Sequence, residues 1–422
     1  MNSYENSLEF AQKQDQNDPL GKFREQFLIP TDKNGNPHIY LCGNSLGLQP
    51  KKTREYLNIE LEDWQKYGVE GHTDARYPWM PYHEFLTEKM AKIVGAKPSE
   101  VVMMNTLSVN LHLMMVSFYQ PTDRKYKIII ESDAFPSDKY AVESQLKFHN
   151  YDPKDGLILW KPREGEELCR FEDLEEIMES QGEQVALLLI GTTNYYTGQS
   201  FDIKKITELG HKYNCMVGFD LAHGAGNIQP NLHKNGPDFA VWCSYKYLNS
   251  GPGSVGGCFV HERHANNKEL KRFTGWWGHN KSTRFNMRHE FDAIEGAEGW
   301  QLSNPPILSM AAIRASLDVY DEAGFENVIA KSKKLTGYLE YLLKDINDSR
   351  IQLITPENPE ERGCQISIKL HGATKELFDD LTANGVISDW REPNVIRVAP
   401  APLYNSFEDV FKFVQILKKL LQ

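Results

Sequence analysis

The sequence predicts an α/β protein: a large domain on a mostly parallel sheet, followed by a smaller α+β domain. Three observations predict it. Between Tyr82 and Ser244, short apolar runs alternate with stretches of helical spacing, the pattern of strands covered on both faces by helices. Two of those runs end on polar residues able to do chemistry, Met216–Phe219 on Asp220 and Phe239–Ser244 on Tyr245 and Lys246; ligands of such sheets sit at the carboxyl ends of the strands. Beyond Pro305-Pro306 the pattern changes to long helices, short strands and a closing helix. A chain of 422 residues is long enough for two cores. The expected division is 1–75, a segment joining the small domain; 76–304, the large domain; and 305–422, the small domain.

The elements follow in order. A short strand over Ile39–Cys42 runs into Gly43-Asn44-Ser45 and Gly47, residues that tolerate positive φ and a close backbone approach. Leu57, Leu61 and Trp64 give Lys51–Tyr67 one apolar helical face. The stretch GVEGHTDARYPW, with His72, Arg76 and Trp79, is a loop by its glycines and proline. Helix Tyr82–Val94 then precedes strand Val101–Met104, and helix Ser108–Phe118 precedes strand Lys127–Ile130. Strand Val185–Ile190 leads through helix Asp202–Tyr213 to the strand ending at Asp220. Helices are expected over Ile307–Glu322, Phe325–Asp345 and Ser406–Leu421, the last with Ser406 as its cap. Between them Cys364–Leu370 alternates as a half-buried strand.

Composition excludes several classes of function. A formal charge of −11 without a basic stripe argues against nucleic acid, whose phosphates require clustered Lys and Arg. No apolar run approaches the roughly 20 residues of a membrane helix, and the polar start MNSYENSLEF is no signal peptide. The six cysteines form no CxxC pair, so they are expected to be buried thiols in a reduced, cytoplasmic protein with no metal site.

An acid and a lysine ending different strands meet one crevice. An Asp paired with a pyridinium nitrogen and a Lys able to form an imine are what pyridoxal phosphate requires, although either residue alone is ordinarily a cap or a solvated loop group. Two strand-to-helix junctions offer anion sites. Asn105–Ser108 presents free amides and a hydroxyl, and Phe135-Pro136-Ser137-Asp138 opens a second helix and places an aromatic near a flat ring. Gly251, Gly253 and Gly256 spell G-x-G-x-x-G, but a strand rather than a helix follows, so no dinucleotide site is expected. His261 and His264 lack a third ligand nearby and are read as exposed. Trp276 and Trp277 lie in a loop too apolar to leave bare, which suggests a subunit contact. Arg397, before a proline turn, is a candidate clamp for a carboxylate.

Taken together, YLCGNSLGLQP, GHTDARYPW, NTLSVNLHL, FPSDKY, YYTGQSFDI, VGFDLAHGAGN, WCSYKYLNSGPG, GWWGH, STRFNM, SNPPIL and IRVAPAPLYNSF resemble, in that order and over nearly the whole chain, the kynureninase family of fold-type-I pyridoxal-phosphate enzymes. The resemblance implies a homodimeric hydrolase that cleaves the β,γ carbon–carbon bond of kynurenine or 3-hydroxykynurenine. The products would be anthranilate or its 3-hydroxy form, and alanine, in tryptophan breakdown or NAD supply. It implies that Lys246 forms the imine, Asp220 pairs the ring nitrogen with His223 beside it, and Phe135 covers the ring. Leu107, Ser108 and the Tyr245 hydroxyl would hold the phosphate, with Pro136, Ser137 and Asp138 in the same cofactor site. Trp276 and Asn304 would reach in from the other subunit, Arg397 would clamp the substrate carboxylate, and Ser45 and His72 would lie near the substrate. Tyr245 is also expected as a proton donor, on condition that nearby charge lowers its pKa. Two departures stand out: Ser108 where the family has Thr, and Gly191 where it has a hydroxyl residue, whose contact is lost or passes to Thr192 or Thr193. A cysteine desulfurase or aminotransferase of the same class would share Asp220, His223 and Lys246, and a cofactor-retaining protein without turnover is the non-enzyme alternative.

Overall fold

The computed structural model describes residues 4–287 and 289–422; the first three positions of the polar start, and Arg288, lie outside the described residues. Seven apolar runs become one sheet: β1 (Val101–Met103), β2 (Lys127–Glu131), β3 (Leu157–Trp160), β4 (Val185–Gly191), β5 (Met216–Asp220), β6 (Phe239–Trp242) and β7 (Gly257–Val260). Their spatial order is β1-β7-β6-β5-β4-β2-β3. Every pairing from β6 to β3 is parallel, and β7 alone runs against its two neighbours. The expected mostly parallel sheet is therefore present.

The strands are apolar throughout because both faces are covered. On one face Met103, Ile129, Leu188, Ile190, Val217, Phe219 and Trp242 pack with helices Glu84–Val94, Ile203–Lys212 and Ile307–Ala323. On the other, Val102, Ile128, Ile130, Leu187, Leu189 and Val241 pack with helices Leu107–Phe118 and Pro136–Phe148. Each fully buried aliphatic side chain stabilises by about 1.5–3 kcal/mol, so this two-sided core fixes where the strands end. The register then brings those ends level: Gly191 stands opposite Asp220, and Asp220 opposite Val241. Although the sequence pattern changes at Pro306, helix Ile307–Ala323 buries Met310, Ile313, Leu317 and Tyr320 in the first of these clusters.

The C-terminal part carries a second, antiparallel sheet of β8 (Ile351–Leu353), β9 (Ile366–Leu370), β10 (Asp389–Arg391) and β11 (Val395–Val398), ordered β8-β9-β11-β10. It packs on helices Phe325–Asp345 and Phe407–Leu420. The latter opens on the expected Ser406, whose hydroxyl accepts from the Asp409 amide while the Asp409 side chain accepts from the Ser406 amide, a reciprocal cap.

The chain's first segment is woven into this part. Ile39–Tyr40 pairs with Val386–Ile387, the Ala399 amide donates to the Leu41 carbonyl at 2.8 Å, and Asp15 accepts from the Phe407 and Glu408 amides. From there the Gly43–Gly47 turn crosses to the large domain. The Gly47 amide donates to the Tyr245 carbonyl at 2.9 Å. A Cβ on Gly47 would lie 2.3 Å from the Lys246 carbonyl oxygen, so only glycine lets the two loops touch.

Candidate active site

Beyond the carboxyl ends of β2, β4, β5 and β6 lies a cavity lined by Leu107, Ser108, Glu131, Phe135, Ser137, Asp138, Gly191, Thr193, Tyr195, Asp220, Ala222, His223, Tyr245 and Lys246. Asp220, the last residue of β5, is buried. Its Oδ1 accepts from the Ala222 amide at 2.5 Å. Asp138, from the first turn of helix Pro136–Phe148, faces it. Burial raises the pKa of both carboxyls. The Asp220 charge pushes Asp138 well above the usual range, whereas the hydrogen bond from Asp138 and the Lys246 cation pull Asp220 back down. Asp138 is thus the protonated member and Asp220 the acceptor. Burial also drives the His223 pKa well down, helped by Lys246, Arg397 and Arg391. The ring is neutral, with Nδ1 3.2 Å from the Tyr247 hydroxyl.

The opposite end of the cavity suits an anion. Helix Leu107–Phe118 begins there, and the Thr106 side chain does not cap it, so its first amides have no intrahelical acceptor. The Ser108 and Ser137 hydroxyls lie 3.0 Å apart beside them. Phe135 is 48% exposed, an open position for a phenylalanine bordering a cavity. It meets Tyr195 edge-on at 5.4 Å, and the Lys246 Nζ stands 5.9 Å from its ring centroid. Amides and hydroxyls for a phosphate, an aromatic face for a flat ring, an amine for an aldehyde and a buried carboxylate for a ring N–H⁺ together fit pyridoxal phosphate. Tyr245 corrects one expectation. Burial, with the Cys243 thiol beside it, raises its pKa rather than lowering it, so its hydroxyl is a hydrogen-bond donor and a poor acid.

Beside this cavity lies a cationic subsite. Arg397, on β11, is 1% exposed. Its Nη1 donates to the Tyr195 carbonyl at 2.6 Å, and its Nη2 to Asp389 at 2.5 Å and to Ser45 at 3.4 Å. Ser45 arrives on the Gly43–Gly47 turn, so the predicted pair Ser45 and Arg397 is brought together. His72, Trp276 and Asn304 are not on this chain's cavity wall. His72 instead packs edge-on against Trp79 with its Nδ1 2.9 Å from the Val69 carbonyl, and Trp276 is 46% exposed. Pro136 starts its helix without lining the cavity.

Three contributors escaped the sequence reading. Tyr195, although it opens the stretch YYTGQSFDI, and Asp389 were given no site role, being placed by a loop and by cross-strand register. Glu131 did give one, ending an apolar run as Asp220 does. Its carboxyl accepts from the Gly191 amide at 3.2 Å through both oxygens, and a Cβ on Gly191 would stand 2.7 Å from it. Histidines read as exposed also proved engaged. His264 is buried on Asp238 at 2.8 Å, and His261 neighbours Glu100 and His233. That last trio has the composition of a metal site, but its lone pairs are in use: the Arg263 amide donates to the His261 Nδ1, and His233 and the Glu262 amide donate to Glu100 Oε1. A larger cleft of about 790 Å³, lined by Asp15, Arg24, His38, Lys331 and Lys412 among others, lies away from the strand ends. All six cysteines are free thiols, Cys42 and Cys169 half-buried and the rest buried.

Glu131 carries a pH prediction. Burial raises its carboxyl from 4.5 to about 7, with a smaller push from Asp220 and an opposing pull from the Gly191 amide. A carboxyl raised by folding stabilises fully below its unfolded pKa and loses that contribution as pH climbs through its folded pKa. Glu131→Gln should therefore gain about 3 kcal/mol on the wild type between pH 4.5 and pH 7. Using the difference removes the opposite slope of His223 and most of the parallel slopes of Asp138 and Asp220, leaving only the part by which Glu131 raises Asp138 and is itself raised by Asp220. Chemical denaturation of the ligand-free protein across that window checks it; superimposable pH profiles would refute it.

Comparison with known proteins accords with this geometry. A family model described as the kynureninase C-terminal domain matches residues 328–417. A kynureninase of Myxococcus xanthus is 56% identical over 415 residues, 98% of this chain and 97% of its own. One of Koribacter versatilis is 53% identical, with 98% and 97% covered. One of the animal Nematostella vectensis is 47% identical, with 97% and 93% covered. Among solved structures, a cysteine desulfurase of Thermococcus onnurineus is 18% identical with a TM-score of 0.74, covering 91% of this chain and 94% of that one. A cysteine desulfurase of Escherichia coli is 16% identical with a TM-score of 0.75, covering 95% and 98%. At such identities the two structures show a shared fold alone, the expected fold-type-I arrangement. No helix among the described residues is long and apolar enough to cross a membrane.

Proposed function

The chain belongs to the kynureninase family, and from that premise we propose that it is a pyridoxal-phosphate-dependent hydrolase. It cleaves kynurenine, and its 3-hydroxy form, between the β and γ carbons, giving anthranilate or 3-hydroxyanthranilate and alanine. The observation that carries the reading is Tyr195. It lines the cavity of Lys246 and Asp220 with its ring edge-on to Phe135, and its carbonyl holds the buried Arg397. An amine site and a carboxylate site are thereby adjoined, as an α-amino acid needs.

Bound pyridoxal phosphate supplies an aldehyde for the substrate amine and a protonated ring that accepts electron density from the α-carbon. The chain's residues do the rest. The Leu107 and Ser108 amides, with the Ser108, Ser137 and Tyr245 hydroxyls, hold the phosphate. Asp220 keeps the ring nitrogen protonated, Asp138 donates to Asp220, and His223 lies beside them as a neutral ring. Phe135 would offer the ring an aromatic face. Arg397 and Ser45 orient the substrate carboxylate, which fixes the α-hydrogen relative to Lys246, the base once its amine is freed. Water then adds to the side-chain ketone, and the carbon–carbon bond breaks.

The proposed assembly is a homodimer in which Trp276 and Asn304 of one protomer complete the cavity of the other. The exposure of Phe273, Trp276, Phe285 and Met287 in one segment supports it, since apolar patches of this kind are ordinarily covered. His72 and Asn304 are the proposed determinants of kynurenine against 3-hydroxykynurenine. The proposed setting is cytoplasmic, in tryptophan breakdown or NAD supply.

The test is direct. Purified protein loaded with pyridoxal phosphate and given kynurenine should release fluorescent anthranilate in step with alanine. Cofactor-loaded protein that yields neither product would defeat the reading. Sulfide from cysteine, or a 2-oxo acid from an amino-group transfer, would point to the desulfurase or aminotransferase instead.

A further inference from the structure

A buried guanidinium needs an anion, and the one Arg397 has belongs to the protein itself. Asp389 Oδ2 lies 2.5 Å from Arg397 Nη2 and 3.2 Å from Arg391 Nη2, and the Ser45 hydroxyl donates to the same oxygen. One carboxylate oxygen thus serves two guanidiniums and a hydroxyl. Meanwhile the Nε atoms of both arginines are buried without an acceptor among the described residues. The strand register produces this crowding. Asp389 pairs directly with Arg397, and Arg391 with Val395. Asp389 and Arg391, two residues apart on β10, therefore share a face with Arg397. Two cations against one anion leave a surplus positive charge, and both arginines help hold His223 neutral.

We propose that Asp389 is an internal substitute for the ligand carboxylate: it occupies Nη2 of Arg397 until that carboxylate arrives, then passes to Arg391. The inference rests on the reading of the cavity as an amino-acid site. No bond or proton changes hands; one ion pair is exchanged for another. The exchange is needed because two carboxylates at one fork repel. Arg391 is suited to receive Asp389, because it already touches it and its side chain is 38% exposed, against 1% for Arg397. Arg391 is then a positioning residue that acts through Asp389 and does not touch the ligand.

The test follows the absorbance of the cofactor-loaded protein during titration with L-alanine and, separately, with ethylamine, the same amine without the carboxylate. Removing the internal competitor in Asp389→Asn should tighten L-alanine binding about tenfold and leave ethylamine unchanged. Removing the receiver in Arg391→Gln should weaken L-alanine about tenfold, and that loss should vanish in the double variant. Unchanged or weaker L-alanine binding by a folded Asp389→Asn protein would overturn the proposal. So would an Arg391→Gln loss that persists undiminished in the double variant, which would make Arg391 a direct ligand contact. Should Asp389→Asn yield too little folded protein, Asp389→Ser takes its place in both the single and the double variant, and the same outcomes decide. A wild-type protein that responds to neither amine would bring down the site reading and this proposal together; a responding wild type with silent variants brings down this proposal alone.

Discussion

Lys246→Ala is expected to remove turnover, with a fall in kcat of at least about 10⁴-fold, while the protein stays folded. Among the described residues the side chain is the cavity's only lysine, and the chemistry asks it for two things, a nucleophilic amine and a base. Nothing in the loop's backbone depends on it. The Asn249 amide donates to the Lys246 carbonyl at 3.0 Å and the Gly47 amide to the Tyr245 carbonyl, and alanine keeps both. The loss of charge will be felt by the acids. Lys246 lowers the pKa of both Asp138 and Asp220, so its removal raises both and favours retention of their shared proton. Lys246→Arg separates the two effects, since a guanidinium restores the charge but forms no imine. It should be as inactive as Lys246→Ala. Anthranilate release, the absorbance of the bound cofactor and a thermal melt report on turnover, imine and fold in turn. Wild-type turnover in Lys246→Ala would overturn the assignment.

The sequence made this lysine legible because parallel strands announce themselves as apolar runs, and what ends such a run stands at the mouth of the sheet. The same logic located Asp220, and the junctions at Ser108 and Phe135 followed from helix starts. It applied equally to Glu131 at the end of β2, which went unread because an acid there is ordinarily a turn residue and Gly191, its hydrogen-bond partner, lies 60 positions away. Ser45 with Arg397 depended on a contact across 352 positions, created when the first segment pairs into the C-terminal sheet. Only the resemblance placed those two near one ligand. Asp389 lay beyond any such reading, since its meaning comes from lying directly opposite Arg397 on a neighbouring strand. The histidines failed for the converse reason: His261 and His264, three apart in sequence, turn to different carboxylates, Glu100 and Asp238. Helix Ile307–Ala323 shows the limit for domain boundaries. A change in sequence pattern marks where local structure changes, whereas the core a helix joins is decided by which faces pack.

Asp220→Ala should lower turnover at least about 10³-fold and loosen the cofactor, because a protonated ring is an electron sink only while a carboxylate holds the proton on it. The structural cost is small. The Ala222 amide loses its acceptor, about 1 kcal/mol at a strand end whose packing comes from Val217 and Phe219. What makes the experiment informative is Asp138. In the wild type it is kept protonated by its buried position and by the Asp220 charge. Without Asp220 that repulsion disappears and the Asp138 pKa falls, which eases its ionisation beside the cationic ring nitrogen, close to where a charge was lost. Asp220→Ala should therefore keep a residual rate that Asp138→Asn, added to it, removes. Asp138→Asn alone should cost only about tenfold, because the amide still donates to Asp220. The double variant should then lose more than the product of the two single losses. Strict multiplication would show that Asp138 gives no substitute charge. Undiminished turnover in Asp220→Ala itself would show that the ring nitrogen does not depend on this acid, and the electron-sink role would have to be abandoned.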